Sequence, residues 1–172
     1  LHATLRRQRQ MCIRDSISGA HFNPFVSLAM FFRKKIKGNL LKYYIPAQIS
    51  GCLLGVMFAN VFFEHSLLEL STKNRDGLHI FVSEIVATFG LIFIIFATLK
   101  DGKTIVAISV ATYISAGYWF TSSTSFANPA VSLARTFTDS FTGINYLNTP
   151  TYILAEFIGL ILAAYILKII YK

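Results

Sequence analysis

Charge is scarce in this chain of 172 residues: only 14% are Asp, Glu, Lys or Arg, against roughly 25% in a soluble domain. That scarcity excludes a disordered chain, a coiled coil and an ordinary soluble enzyme. Cysteine is scarcer still. Cys12 and Cys52 alone make neither a disulfide framework nor a thiolate metal site. Proline occurs four times, and two of the four, Pro24 and Pro129, follow an asparagine. No nucleophile with a base, no metal cluster and no phosphate loop is visible in the sequence, so no catalytic residue, cofactor or metal is expected.

What is abundant is apolar. Hydrophobic residues make up 54% of the chain and Phe alone contributes 16 residues, for a mean hydropathy of +0.56. The net charge of +8 would suggest nucleic acid in a soluble protein, but membrane proteins gather Lys and Arg in cytoplasmic loops. No nucleic-acid partner is expected. Residues 1–16 stand apart, with Arg6, Arg7, Arg9 and Arg14 and no apolar run. A signal peptide needs such a run, so this stretch reads as non-native or disordered and the fold is expected in 17–172.

Four segments approach the ~20 apolar residues that a bilayer crossing needs: 40–63, 78–99, 104–122 and 150–171. Thr149-Pro150 reads as a helix cap with proline at the first helical position. Arg33, Lys34, Lys35, Lys37 and Lys42 precede the first span, Lys100 and Lys103 join the second to the third, and Lys168 and Lys172 end the chain. The positive-inside rule then starts and ends the chain inside. That ordering requires 123–149 to begin and finish outside, so anything apolar within it must dip in and return.

Two short segments match. Phe22-Asn23-Pro24-Phe25-Val26-Ser27-Leu28-Ala29-Met30 and Ala127-Asn128-Pro129-Ala130-Val131-Ser132-Leu133-Ala134-Arg135 share Asn, Pro, Val, Ser, Leu and Ala at an offset of 105, and Tyr44 to Gln48 parallels Tyr152 to Glu156 at an offset of 108. One segment connects to the inside and the other to the outside, so the repeats are inverted. Such repeats place a solute site near the midplane, framed by half-helices. Half-helices are expected at 24–31 and 128–138. Eight residues rise only ~12 Å, too short for ~30 Å of hydrocarbon, although two end to end nearly reach. Asn is a strong N-cap and proline at N1 leaves no N–H unsatisfied. The Asn amide keeps N–H donors for a cavity, and the two helix dipoles disfavour cations there.

These motifs resemble the major intrinsic protein family of aquaporins and aquaglyceroporins. Ser18-Gly19-Ala20-His21-Phe22-Asn23-Pro24 resembles the first Asn-Pro-Ala loop, with Phe25 in place of Ala, and Asn128-Pro129-Ala130 is the second loop unaltered. Phe81 to Glu84, followed by Thr88-Phe89-Gly90, is similar to the start of the family's fourth helix. The resemblance implies an all-α membrane protein: an aquaporin-like inverted-repeat helical bundle with two re-entrant half-helices, here lacking the first two transmembrane helices. It implies a bacterial, multi-pass inner-membrane channel for water and small neutral solutes such as glycerol, urea or metalloid acids, assembled as a homotetramer.

Carried over by position, the central station holds Asn23, Asn128, Phe25 and Ala130. The filter holds Ala116 (or Gly117), Ser125 and Val131, where the family usually has Arg. Arg135, four residues on, is no obvious substitute. The constriction is therefore expected to be wide and uncharged. Pro24 and Pro129 open the half-helices, and Glu84 supports a loop backbone. Phe25 either narrows the station or repacks its half-helix. His21 is either a pH sensor or a neutral hydrogen-bonding group. The alternatives to a channel are an inverted-repeat secondary transporter, which would normally need carboxylates near the breaks, and a non-conducting fragment.

Overall fold

The computed structural model describes residues 19–171, so the stretch 1–16, with Cys12, lies outside the described residues. Among the described residues six α-helices follow one another: α1 Pro24–Phe32, α2 Gly38–Phe62, α3 Leu78–Thr98, α4 Lys103–Phe120, α5 Pro129–Ala134 and α6 Thr149–Ile170. No strand is present among the described residues. The chain is an all-helical membrane bundle.

Among the described residues three stretches are long and apolar enough to cross a bilayer: α2, α3 with its 3₁₀ end (Leu78–Asp101) and α6. The span expected at 104–122 is α4, whose 18 residues rise roughly 27 Å. Thr104, Ser109, Thr112, Ser115 and Gly117 dilute its hydropathy, and it falls short of the other three. The half-helix expected at 128–138 is α-helical only to Ala134 and tightens into a 3₁₀ turn over Arg135–Phe137. Asn148, not Thr149, precedes α6. The Thr149 hydroxyl instead shares a 2.8 Å hydrogen bond with Thr136 on that 3₁₀ turn, a tertiary partner that a local capping rule cannot foresee.

The core is small-residue packing. Gly159 lets α6 lie on α3, since a Cβ there would come within 2.6 Å of the Ile85 carbonyl oxygen. In lipid, helices associate by such close approach rather than by hydrophobic expulsion. Ala87, Leu91, Ile92 and Ile95 of α3 meet Leu160, Ala163 and Leu167 of α6, and Val26 and Ala29 of α1 join the same cluster. The Tyr113 hydroxyl of α4 donates to the Val86 and Ala87 carbonyls at 3.1 and 3.2 Å, which ties α4 to α3.

Hydrogen bonds sort the loops onto two sides. The loop 64–77 joins the end of the second half-helix, with Ser71 N–H donating to Thr136 O at 3.0 Å and Asn145 N–H to Lys73 O at 2.9 Å. On the opposite side, the Arg33 guanidinium reaches Tyr171 O at 3.5 Å. That side carries Lys34, Lys35, Lys37, Lys100, Lys103 and Lys168 against Asp101. The other carries Glu64, Glu69, Asp76 and Asp139 against Lys73 and Arg75.

Candidate functional site

The two Asn-Pro segments meet nose to nose. The Asn23 side-chain oxygen accepts from Phe25 N–H at 2.9 Å and Val26 N–H at 3.4 Å. The Asn128 oxygen accepts from Ala130 N–H at 3.1 Å. These are N-caps, and each precedes a proline that has no N–H to satisfy. The amide nitrogens then cross over. Asn23 Nδ2 donates to Ala127 O at 2.6 Å, and Asn128 Nδ2 donates to Phe22 O at 2.8 Å. Phe22 and Ala127 are themselves related by the offset of 105, so the exchange is reciprocal. Each amide has two N–H donors, which leaves one per asparagine for a solute.

The repeat extends into backbone conformation. Gly19, Ala20 and Phe22 have φ of 75°, 48° and 48°, and their counterparts Thr124, Ser125 and Ala127 have 68°, 52° and 48°. This left-handed region costs a non-glycine residue roughly 1–2 kcal/mol. Five such residues in one pair of loops require strong outside support.

Carboxylates give that support to the second loop. Glu84, fully buried, accepts from Phe126 N–H at 3.0 Å and Ala127 N–H at 2.8 Å, one per oxygen. Glu156, equally buried, accepts from Asn128 N–H at 3.1 Å and the Ser132 hydroxyl at 2.6 Å through one oxygen. The first loop has a neutral version: Gln48 donates to the Ser27 hydroxyl at 2.9 Å. Ser27 and Ser132 are repeat partners, as are Gln48 and Glu156. His21 joins this first network, with Nδ1 3.1 Å from Ser27 Oγ and its ring edge-on to Tyr44.

A cavity of about 390 Å³ runs past these caps, bounded by α1, α3, α4 and α5. Asn23, Val26 and Met30 line it from α1, and Asn128, Val131 and Arg135 line it from the second half-helix. Both sets fall at i, i+3 and i+7, one face of a helix. From α4 come Lys103, Val106, Ala107, Val110, Ile114 and Tyr118, another single stripe. Ser125 also borders the cavity. Among the described residues, no carboxylate lines it.

The sequence profile of the major intrinsic protein family matches residues 8–118, well over half of the chain. The chain belongs to the major intrinsic protein family. It is 41% identical over 156 residues to the aquaglyceroporin AqpS of Rhizobium meliloti (strain 1021), covering 91% of this chain and 67% of that protein. It is 29% identical to rat aquaporin-4 (Rattus norvegicus), over 86% of this chain and 48% of the relative, and 27% identical to nodulin-26 of Glycine max, over 90% and 58%. The chain thus spans about two thirds of the first relative and about half of the second. A 156-residue match in 172 residues necessarily includes both Asn-Pro loops. The major intrinsic proteins are channels and not enzymes.

Phe25 does not line the cavity. Its ring packs on Phe157 of α6 at 5.9 Å, because the second residue after the cap points about 100° away from the lining face per residue of turn. Ala130, its repeat partner, is likewise buried away from the lining. Ala116 is exposed on the far side of α4. Gly117 is buried behind Ser125, where a Cβ would come within 2.6 Å of Ser125 Oγ, and it does not line the cavity itself. Arg135 lines the cavity with Val131 and is half-buried there. The helical spacing i, i+3, i+7 from Asn128 was the sequence signal for it. Arg75 is a further residue that the motifs do not reveal: it donates to Thr124 Oγ1 at 3.4 Å and its guanidinium lies 5.5 Å over the Phe126 ring.

Proposed function

We propose that the chain is the greater part of a passive channel for water and small neutral solutes of the glycerol, urea or neutral metalloid-acid type. The carrying observation is the reciprocal pair of asparagine caps beside a cavity that reaches from Lys103 at one end to Arg135 at the other. A solute there meets one free N–H from each asparagine and an apolar wall from Val26, Val110 and Ile114. Hydrogen bonds replace part of its hydration while the half-helix N-termini oppose cations. Ser125 and Val131, with Gly117 behind Ser125, form a wide constriction that excludes little by size. AqpS is named an aquaglyceroporin, which agrees with small residues at these positions. No carboxylate borders the cavity among the described residues, and this favours passive flow over ion-coupled transport. The reading places the chain in a bacterial inner membrane as a multi-pass protein and as a homotetramer.

Stopped-flow light scattering on proteoliposomes tests it. The chain is completed with the parts of AqpS that it does not cover, and water, glycerol and urea gradients are applied. All three should pass, without saturation and without dependence on an ion gradient. Val131→Arg should cut glycerol and urea permeability at least about tenfold while water flow persists, since a guanidinium narrows the constriction. Uptake that appears only under an ion gradient would replace the channel with a transporter.

A further inference from the structure

The two half-helices present the same face to the cavity, and their lining residues pair through the repeat: Asn23 with Asn128, Val26 with Val131, Met30 with Arg135. The first two pairs are identical. The third sets a thioether against a guanidinium. Arg135 is half-buried, one helical turn beyond Val131, about 6 Å along the axis. Among the described residues no carboxylate lies within ion-pair distance of it. Its electrostatic neighbours are Tyr118, Cys52 and a second cation, Arg75. A guanidinium cannot shed its charge. Half-buried and without a counter-charge, it projects that charge into the cavity with less screening than a surface arginine would have.

We propose that Arg135 is the charge-selecting residue of this cavity. It repels cations at the level of Val131 and offers hydrogen bonds to oxygen-bearing solutes, neutral or anionic. The constriction then combines a wide, uncharged ring with a cation displaced one turn toward the mouth. This inference rests on the channel reading for its consequence, solute choice, but the local potential can be read without any flux.

The test places a reporter thiol at the constriction, Val131→Cys, with Cys12 and Cys52 changed to Ser. Labelling rates are compared for a negatively charged and a positively charged methanethiosulfonate of similar size. With Arg135 present the anionic reagent is favoured. In Arg135→Met, which makes the two half-helices alike, the anionic-to-cationic rate ratio falls about tenfold or more, and Arg135→Lys retains it. A ratio unchanged in Arg135→Met overturns the assignment. Flux through the same AqpS-completed protein with Val131 restored separates the two claims. Glycerol flow with a tenfold rise in methylammonium leak in Arg135→Met supports both. Glycerol flow in which neither the leak nor the labelling ratio responds to Arg135→Met sinks the charge assignment alone. Labelling that follows Arg135 in a protein that carries no solute keeps that assignment and sinks the channel.

Discussion

The two re-entrant loops have nearly the same backbone and different supports. Their φ values agree within 7° at the three paired left-handed positions, and their asparagines exchange the same hydrogen bond. Yet the second loop hangs on two buried carboxylates, Glu84 and Glu156, while Ser27 of the first half-helix is held by Gln48 and His21. The shared conformation therefore follows from what the loop must present to the cavity, and the chemistry that restrains it is free to differ. Three consecutive backbone N–H groups of the second loop, those of Phe126, Ala127 and Asn128, end on these two carboxyls, and each such bond contributes roughly 0.5–1.5 kcal/mol even with a neutral acceptor. The second loop should accordingly be the more rigid half of the station.

The largest expected effect comes from removing the stronger support. Glu84→Ala leaves the Phe126 and Ala127 N–H groups buried without acceptors, at about 1–3 kcal/mol each. Against a total stability of about 5–15 kcal/mol, that should abolish folded protein or lower its thermal midpoint in detergent severely. A variant that folds and melts as the parent does would show that carboxylate support is dispensable. Next come the caps. Asn128→Ala loses its N-cap, worth about 0.5–2 kcal/mol, and leaves the Phe22 carbonyl without its donor. Asn23→Ala does the same to Ala127. If the second loop is stiffer, the Asn23 variant loses more of its loop order, read as faster amide exchange over 19–22 than over 124–127 in the Asn128 variant. Equal rates would break the comparison.

A smaller effect sharpens it. Glu156→Gln makes the second loop resemble the first, because a glutamine carbonyl can still accept from Asn128 N–H and Ser132. The expected loss is no more than about 1 kcal/mol, since an amide oxygen accepts in the same geometry as a carboxyl oxygen, with glycerol flow within about twofold of the parent. Loss of flow in a folded protein would show that the carboxyl itself, and not hydrogen-bond geometry, sets the second loop.

Much of this arrangement is legible in the sequence for one reason: the repeat constrains both copies at once. Asn-Pro fixes a cap and an N1 position by local chemistry, and matching copies identify which helix starts face each other. Helix phase is less legible. Ala116 and Gly117 differ by one residue, about 100° of rotation, and only the length of 121–127 decides which of them meets Ser125. Phe25 replaces an alanine in a short motif, and the motif alone leaves open whether it narrows the station or repacks its half-helix; the lining face runs through i, i+3 and i+7 and omits it. Arg135 lies on that same face, a position given by helical spacing from Asn128 and not by the family's usual arginine position. Arg75 arrives from a loop of mixed charge, and no local pattern there anticipates its place over Phe126.

The comparison reaches outward to how each half-helix is tied down at its far end, and here the expected effect is smallest. Beyond the first half-helix, an exposed Arg33 touches Tyr171 O at 3.5 Å. Beyond the second, Asp139 accepts from Thr72 N–H at 2.8 Å and from the Thr72 hydroxyl at 3.0 Å. The Thr72 backbone N–H chiefly holds the Asp139 carboxyl below its usual range, with help from the Thr72 hydroxyl and Lys73. A depressed value means that the carboxylate form is the one bound in the folded chain. The strap therefore contributes in full above the ordinary carboxylate range and is lost as the pH falls through the lowered value. Because Asp139 lies at the surface, partly open to solvent, the strap governs local order more than global stability. In detergent micelles the Thr72 amide proton should shift in NMR spectra as acid is added, with a midpoint below that of an ordinary aspartate, and Asp139→Asn should abolish the titration while leaving glycerol flow unchanged. A midpoint at the ordinary value would mean that loop 64–77 is not tied to Asp139, and the second half-helix would then be as loosely held at its outer end as the first.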